Sequence, residues 1–293
     1  MNGPTARRLP DGRRLHLQHG PIDLIVEAFG PEDEQRLAYE QATARFETVL
    51  GELVGELALL RRPVDGSPPE VEGRVAQRMV QAVWPHRRVF VTPMAAVAGA
   101  VADEILAALV AARELSRAYV NNGGDVAVHL SVRQSFKAAV VDRIDAPRPA
   151  GVIELDATGA ARGLATSGWS GRSLSLGIAD AVTALARSAA AADAAATLIA
   201  NAVDADHPSI RRRPARDLRD DSDLGDLPAT VRVGELPREV LAEALDRGAA
   251  AAEMMHRDDL VTGARLALQG VIRRVGTINE SEPVSDERLR PAS

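Results

Sequence analysis

Alternating apolar and polar residues open the chain and predict two β-strands. Residues 15–18 alternate in this way, and after a His-Gly-Pro break the alternation resumes over residues 22–26. The period then becomes helical, because Pro31 and the acidic residues that follow it suit a helix start and an apolar stripe recurs over residues 46–60. The pattern predicts a strand hairpin followed by one long helix.

Further helices and strands are predicted in runs along the rest of the chain. The predicted helices cover residues 70–83, 94–112, an alanine-rich segment ending at 203, and 237–256. The predicted strands cover residues 118–121, 126–132, 136–144, 151–155, 180–185, 230–233 and 264–275, with a charged loop over 207–228. Because this order does not repeat strand–helix–strand units, it predicts an α+β fold with antiparallel sheet and helices on one side. Residues 1–278 are expected to form one domain and residues 279–293 a disordered tail.

Composition narrows the class of protein. The chain has 293 residues, of which 46% are hydrophobic, enough for one large domain or two packed halves. With 3% aromatic residues and a net charge of −6, it has neither the stacking surfaces nor the positive charge of a nucleic-acid-binding protein. The absence of cysteine excludes disulfides, thiolate zinc sites and thiol nucleophiles.

Neither a membrane span nor an export signal is predicted. The most apolar long run, residues 92–112, is interrupted by Asp103 and Glu104, which favours a helix of a water-soluble protein. The first residues are polar and lack the apolar centre of a signal peptide. We therefore expect a cytoplasmic protein whose partners include neither membrane nor nucleic acid.

The alanine-rich helix carries a candidate metal site. Asp193, Thr197 and Asn201 follow at steps of four and so lie on one face. A carboxylate in so apolar a helix is costly unless something pairs with it. Asp193 and Thr197 can offer two oxygens to a hard cation such as Mg²⁺. The alternatives are a helix face that meets solvent, or an Asp193 that acts near a helix start.

A glycine- and serine-rich segment before that helix is a candidate anion site. Glycines allow backbone N–H groups to converge on an anion, hydroxyls add donors, and an arginine adds charge. An ordinary flexible loop explains the same composition. The candidate ligand-binding residues are Thr166, Ser167, Gly168, Ser170, Gly171, Arg172 and Ser173.

A second glycine pair lies between two predicted strands. The sequence Asn-Asn-Gly-Gly-Asp is a strong hairpin-turn signal, and Gly123 and Gly124 would also let a ligand approach the backbone. Asp125 closes this turn and, with Asp180, is a candidate general base. The six histidines lack the spacing of a metal or catalytic motif. The charged stretch 211–226 is a solvated loop or, alternatively, a lid.

Four segments together, in this order, resemble the ApbE-like superfamily, whose best-known members are FAD:protein FMN transferases. They are PMAAVAGAVADEI (93–105), YVNNGGDVAV (119–128), ATSG (165–168) and ADAAATLIANAV (192–203). The resemblance is strongest to a cytosolic branch of uncharacterised proteins. It implies a duplicated, T-fold-like α+β unit of two intertwined halves with a flavin nucleotide between them.

The resemblance also implies site residues. In the transferases an Asp and a Thr one helical turn apart bind Mg²⁺, and these match Asp193 and Thr197. The glycine pair and its Asp would lie near the flavin. Two features of the transferases are missing: a lysine in the segment matching 96–99, and a His–Ile–x–Asp–Pro–x–Thr–Gly stretch, replaced at 173–180. We therefore expect no FMN transfer onto an acceptor protein.

These observations predict a Mg²⁺-dependent protein that binds a flavin or other nucleotide, with FAD or FMN as cofactor. If active, it would act on a phosphoanhydride. The alternative is a non-catalytic ligand-binding or assembly protein that retains the fold. The expected partner is a small-molecule nucleotide, and the substrate, the pathway and the oligomeric state are left open.

Overall fold

A computed structural model describes residues 3–143 and 148–282 of the chain. Five α-helices lie within these ranges: α1 Glu32–Leu60, α2 Arg74–Val83, α3 Val97–Val110, α4 Ala189–Ala202 and α5 Arg238–Arg257. The strands are β1 Thr5–Arg8, β2 Leu15–His19, β3 Ile22–Phe29, β4 Arg117–Asn122, β5 Asp125–Leu130, β6 Ser135–Val141, β7 Pro149–Asp156, β8 Gly163–Ser167, β9 Ala181–Ala186, β10 Ile210–Pro214, β11 Pro228–Val233, β12 Gly263–Leu268, β13 Val271–Gly276 and β14 Glu280–Ser281.

A nine-stranded sheet with the order β1-β2-β3-β4-β5-β8-β9-β12-β13 forms the centre of the fold, and every neighbouring pair is antiparallel. Its connections repeat once. β2 and β3 are followed by α1–α3 and then β4 and β5, while β8 and β9 are followed by α4, α5 and then β12 and β13. The two blocks meet where Val126 of β5 pairs with Leu164 of β8. The predicted α+β fold with a duplicated antiparallel arrangement is confirmed.

The helices cover one face of this sheet. The long helix α1 begins after Pro31 with three acidic residues in its first turn and buries the stripe that includes Phe46, Val49 and Leu53. Side chains of β2–β4 pack against α1–α3, and a second core cluster forms between β9, β12, α4 and α5. At Gly99 of α3 a β-carbon would overlap the backbone of Ala189 in α4, so the two helices cross at backbone contact.

The other face is partly covered by a three-stranded sheet with the order β14-β7-β6. Apolar side chains on this face of β5, such as Val128 and Leu130, share a cluster with Ile153 of β7. Arg265 of β12 is fully buried and binds Asp142 after β6 and Glu280 of β14, the latter at 2.8 Å. This ion-pair cluster attaches the small sheet to the large one.

Several predicted boundaries are wrong. The glycine–serine segment begins as strand β8 rather than as a turn, and the predicted loop 207–228 contains β10, which pairs with β11. The last predicted strand is a hairpin, because the chain reverses at Gln269 and Gly270 with φ of 47° and 81°. Of the predicted tail 279–293, Glu280–Ser281 pair with β7, and residues 283–293 lie outside the described residues.

One window, Pro93–Val110, is long and apolar enough by composition alone to cross a membrane. It contains a short 3₁₀ turn and α3, and 56% of it is buried inside the fold. Its helix packs against α1, α2, α4 and β4, in the position of a core helix.

Candidate functional site

The hairpin turn between β4 and β5 forms the centre of the candidate site. Asn122 and Asp125 pair across it, and Gly123 and Gly124 take φ values of 65° and 118°, which favour glycine. The buried Asn122 side chain donates to the carbonyl oxygen of Ala98 at 3.1 Å. The turn is therefore fixed to the N-terminus of α3, and the predicted hairpin turn is present.

Asp193 of α4 lies against the same helix start. Its Oδ2 accepts a hydrogen bond from the backbone N–H of Gly99 at 3.0 Å. Asp103 of α3 in turn contacts the start of α4. Its two oxygens accept hydrogen bonds from the backbone N–H groups of Ala189 and Ala190 at 3.0 and 2.8 Å. Each helix thus supplies a carboxylate to the unpaired first-turn amides of the other.

Asp125 and Asp193 are electrostatically coupled across this junction. Burial, together with the negative charge of Asp193, raises the pKa of Asp125 well above its usual value, against a hydrogen bond from the Thr166 amide. Burial is also the main cause that raises the pKa of Asp193 to about 7, and Asp103 adds to the increase. Two carboxylates that both resist ionisation therefore lie close together.

Among the residues that the structure describes, no positively charged side chain neutralises this pair of carboxylates. Neither Asp125 nor Asp193 forms an ion pair within residues 3–143 and 148–282, and hydrogen bonds from backbone amides are the favourable interactions that oppose burial. Thr197 lies one turn further along α4 and is partly exposed. No cluster of three or more His, Asp or Glu with metal-binding geometry occurs in the described part of the chain. The donor set is two carboxylates and one hydroxyl, which suits a cation that keeps water or ligand oxygens.

The segment predicted to bind an anion is only partly a loop, and some of its hydrogen-bonding groups already have partners within the protein. Thr166 and Ser167 belong to β8, and the Thr166 hydroxyl bonds that of Thr183 at 2.9 Å. Gly168 packs on the Asp180 carbonyl, so its glycine is needed for close packing. The N–H of Gly171 donates to the Gly168 oxygen at 3.1 Å. Ser170 is partly exposed and Ser173 is exposed, both after β8.

Arg172 lies next to the glycine turn. A β-carbon at Gly123 would be 3.2 Å from the Arg172 guanidinium, although the two residues are 49 positions apart. Arg219, in the charged loop before β11, donates to the backbone oxygen of Arg172. Asp223 of the same loop accepts from the buried Thr92 hydroxyl just before α3. The charged loop therefore reaches the edge of the site.

Asp180 has a structural role in this conformation. Its Oδ1 accepts from the indole N–H of Trp169 at 3.1 Å, and its Oδ2 accepts from the backbone N–H of Gln269 at 2.6 Å. Burial raises the pKa of Asp180, and these two hydrogen bonds oppose the increase. Asn201, on the same helix face as Asp193, likewise holds the backbone of Leu176 at 2.9 Å.

A cavity of about 710 Å³ opens on the face of the sheet opposite the helices. Gly123, Gly124 and Thr166 line one end of it, whereas Asp193 and Thr197 lie on the helix side of the turn. The predicted segments therefore converge at the turn, and part of them lines this cavity. Apart from Gly123, Gly124 and Thr166, sequence reasoning missed the residues that line this cavity, and it missed Asn122 and Asp103 as well. A carboxylate within an apolar helix was the available signal for Asp103.

The family model described as "AbpE bacteria" matches residues 6–274. A UPF0280 protein of Methanopyrus kandleri is 38% identical over 166 residues, which cover 57% of this chain and 62% of that protein. A UPF0280 protein of Methanothrix thermoacetophila is 37% identical over 147 residues, 49% of this chain and 56% of that protein. The chain thus spans less than two thirds of either relative.

Two solved structures are similar at low identity. The flavin transferase ApbE from Vibrio cholerae gives a TM-score of 0.46 at 11% identity, over 92% of this chain and 97% of that one. The Pseudomonas stutzeri flavinyl transferase ApbE, in its apo form, gives 0.42 at 13% identity, over 93% of each chain.

Proposed function

We propose that this chain, which belongs to the family described as AbpE bacteria, binds a nucleotide phosphate together with Mg²⁺ at the β4–β5 turn. A flavin nucleotide, FAD or FMN, is the first candidate ligand. The observation that carries the proposal is the coupled pair Asp125 and Asp193, which has no counter-cation among the described residues. A partly buried pair of like charges is unfavourable unless a proton or a cation lies between them.

The residues present fit a hydrated divalent cation. Asp193 and Thr197 would hold it from one helix face, and Asp125 would face it from the turn. Bound Mg²⁺ supplies positive charge that offsets negative charge on phosphate oxygens. Gly123 and Gly124 let a phosphate approach the backbone without a side chain in the way.

Charge complementarity extends beyond the carboxylates. The Arg172 guanidinium lies 3.2 Å from the position of a β-carbon at Gly123, where it can pair with a phosphate. The first amides of α3 point toward Asp193 and favour negative charge at this position. Arg219 positions Arg172 through its backbone oxygen. These contacts support a binding role for the predicted residues on both sides of the turn.

A thermal-shift matrix tests the binding proposal. FAD, FMN and ADP are each measured with and without Mg²⁺ on the wild type, on Asp193→Asn, and on Asp206→Asn as an exposed control. A ligand at 100 times its dissociation constant adds about 2.7 kcal/mol, or roughly 4–5 °C for a chain of this size. Asp193→Asn is expected to lose the Mg²⁺-dependent part of the shift, and the control is expected to keep it. A wild type indifferent to Mg²⁺ with every nucleotide would refute the proposal.

Turnover of a phosphoanhydride is the catalytic form of this proposal. It is tested by incubating FAD with the protein and Mg²⁺ and separating FMN and AMP by chromatography. A second candidate, non-catalytic binding, is favoured by the segment matching residues 96–99, because it lacks the lysine of the transferases. Mg²⁺-dependent binding of FAD without product would support the second candidate.

Transfer of FMN onto a protein is not expected. The segment matching residues 96–99 has no lysine, and the His–x–x–Asp–Pro stretch of the transferases is absent. The assay is incubation with FAD, Mg²⁺ and a threonine-bearing acceptor domain, read by flavin fluorescence in a gel. A fluorescent acceptor band that depends on this protein would contradict the expectation.

A further inference from the structure

The cavity behind the glycine turn extends along the sheet. It lies between β3–β5 on one side and β6 on the other, and its volume of about 710 Å³ is typical of a small-molecule site. Along β4 it is lined by Arg117, Tyr119 and Asn121, and it ends at Gly123. Tyr119 is four residues from Gly123, or about 13 Å along a strand. A ligand with its phosphate at the turn would therefore extend along β4.

The far end of the cavity holds a buried acid. Glu27 of β3 is only 7% exposed, and its Oε2 accepts from the Tyr119 hydroxyl at 3.1 Å. The nearest paired cation is Arg13, 3.7 Å away, whose side chain is 72% exposed and so offers little compensation. A carboxylate inside a strand is unfavourable unless it meets further donors. A ligand N–H in the cavity would be such a donor.

Flat groups line the same end. The rings of Tyr119 and Phe136 are 5.1 Å apart between centroids, and they bring β4 and β6 together. The Arg117 guanidinium lies 4.0 Å from the centre of the Phe29 ring. The Arg117 guanidinium has five N–H groups. One of them donates to the backbone oxygen of Ser135, which leaves further N–H groups for a ligand. Aromatic faces and a stacked guanidinium suit a planar ring.

We propose that this cavity binds the heterocyclic ring of the nucleotide and that Glu27 determines which ring is accepted. The proposal rests on the proposed function, because the turn must hold the phosphate. Glu27 accepts from a ring N–H, and Arg117 donates to a carbonyl oxygen beside it. The ring class is therefore one with an N–H beside a ring carbonyl. Isoalloxazine and uracil carry this edge, and adenine does not.

Binding measurements on four probes test the assignment. FMN, UDP and ADP are titrated against the full chain with Mg²⁺ by calorimetry, and Mg²⁺ with inorganic pyrophosphate serves as a probe without a ring. The wild type is expected to bind FMN and UDP more tightly than ADP, and the tighter of the two identifies the source of the edge. ADP bound as tightly as both would overturn the assignment of this ring edge.

The matched variants are Glu27→Gln and, as an exposed control, Glu253→Gln. Glutamine keeps the acceptor for Tyr119 but loses the charge, so Glu27→Gln should weaken FMN binding about tenfold and leave pyrophosphate binding unchanged. Phe136→Leu, which keeps an apolar side chain, should also weaken FMN binding and leave pyrophosphate binding unchanged. An unchanged FMN affinity in Glu27→Gln, or an equal loss for pyrophosphate, would refute the role of Glu27.

The two proposals fail differently. If Mg²⁺ and pyrophosphate bind but FMN and UDP do not bind more tightly, the phosphate site stands and the ring cavity is refuted. If none of the four probes binds, the proposed function fails, and the ring assignment fails with it.

Discussion

Replacing Asp193 with asparagine is expected to stabilise the metal-free protein at neutral and higher pH. The variant keeps an oxygen that can accept from Gly99 but removes a charge that burial and Asp103 disfavour. The unfolded carboxyl loses its proton near pH 4, whereas the folded one retains it to about pH 7. Between these values the folded state binds more protons, so the wild type loses stability as pH rises through this window.

The size of the effect follows from the two pKa values. A shift from 3.8 to about 7 is about 3 pKa units, or about 4 kcal/mol at most, since each unit is 1.36 kcal/mol. Because Asp193 is only partly buried by area, water that reaches it lowers this figure. At pH 4.5 the variant and the wild type should differ little. At pH 8 without metal the variant should be more stable by a substantial part of this amount.

Urea unfolding followed by circular dichroism measures this difference. Wild type, Asp193→Asn and the exposed control Asp206→Asn are compared at pH 4.5 and 8 in EDTA, and again at pH 8 with Mg²⁺ and the best nucleotide. The ligand should stabilise the wild type and the control but not Asp193→Asn. If the wild type and Asp193→Asn lose the same stability between pH 4.5 and 8, the coupled carboxylate pair is refuted.

Three further substitutions, with Gly51→Ala as a control, test the packing that builds the site, and all four are measured by thermal and urea unfolding. Gly99→Ala should destabilise the protein by about 1–3 kcal/mol because the added β-carbon overlaps the α4 backbone. Gly51→Ala, in open space on α1, should instead stabilise it by about 0.5–1 kcal/mol. Equal effects of the two substitutions would contradict the close crossing of α3 and α4. Asp103→Ala should cost about 0.5–2 kcal/mol through two lost amide partners, and no loss would show that water replaces them. Arg265→Met should cost about 3–5 kcal/mol by leaving two acids without their shared cation, and a neutral result would mean that the small sheet is held by apolar contacts alone.

The spacing of apolar residues along the sequence predicted the helices and strands that bury only one face. The stripe on α1 was readable because its buried residues repeat at helical spacing over 29 residues. Strand β8 was not, because Gly-Leu-Ala-Thr-Ser has weak strand propensity and pairs with β9 only in the folded sheet. Strand β10 is rich in arginine and depends in the same way on β11.

Candidate site residues were predictable where one segment carried the signal. Asp193 was conspicuous because an acid is unusual in an alanine-rich helix, and the glycine turn followed from its sequence. Gly99, which contacts Asp193, is 94 positions away in the sequence, so this contact depends on how α3 and α4 cross. Glu27 lies in a strand whose alternation explains an outward polar residue equally well. The pairing of β3 with β4, which puts Glu27 beside Tyr119, is what places it in the cavity.

The exchange of carboxylates between α3 and α4 has a consequence for how the chain can be divided. Each helix belongs to a different repeat of the sheet, and each start is completed by an acid from the other repeat. A fragment that ends between β7 and β8 would leave α3 without Asp193, and its counterpart would leave α4 without Asp103. Neither fragment should fold alone, while the two produced together should reassemble by complementation. An ancestral single repeat would, by the same reasoning, have required a second copy of itself to complete its helices.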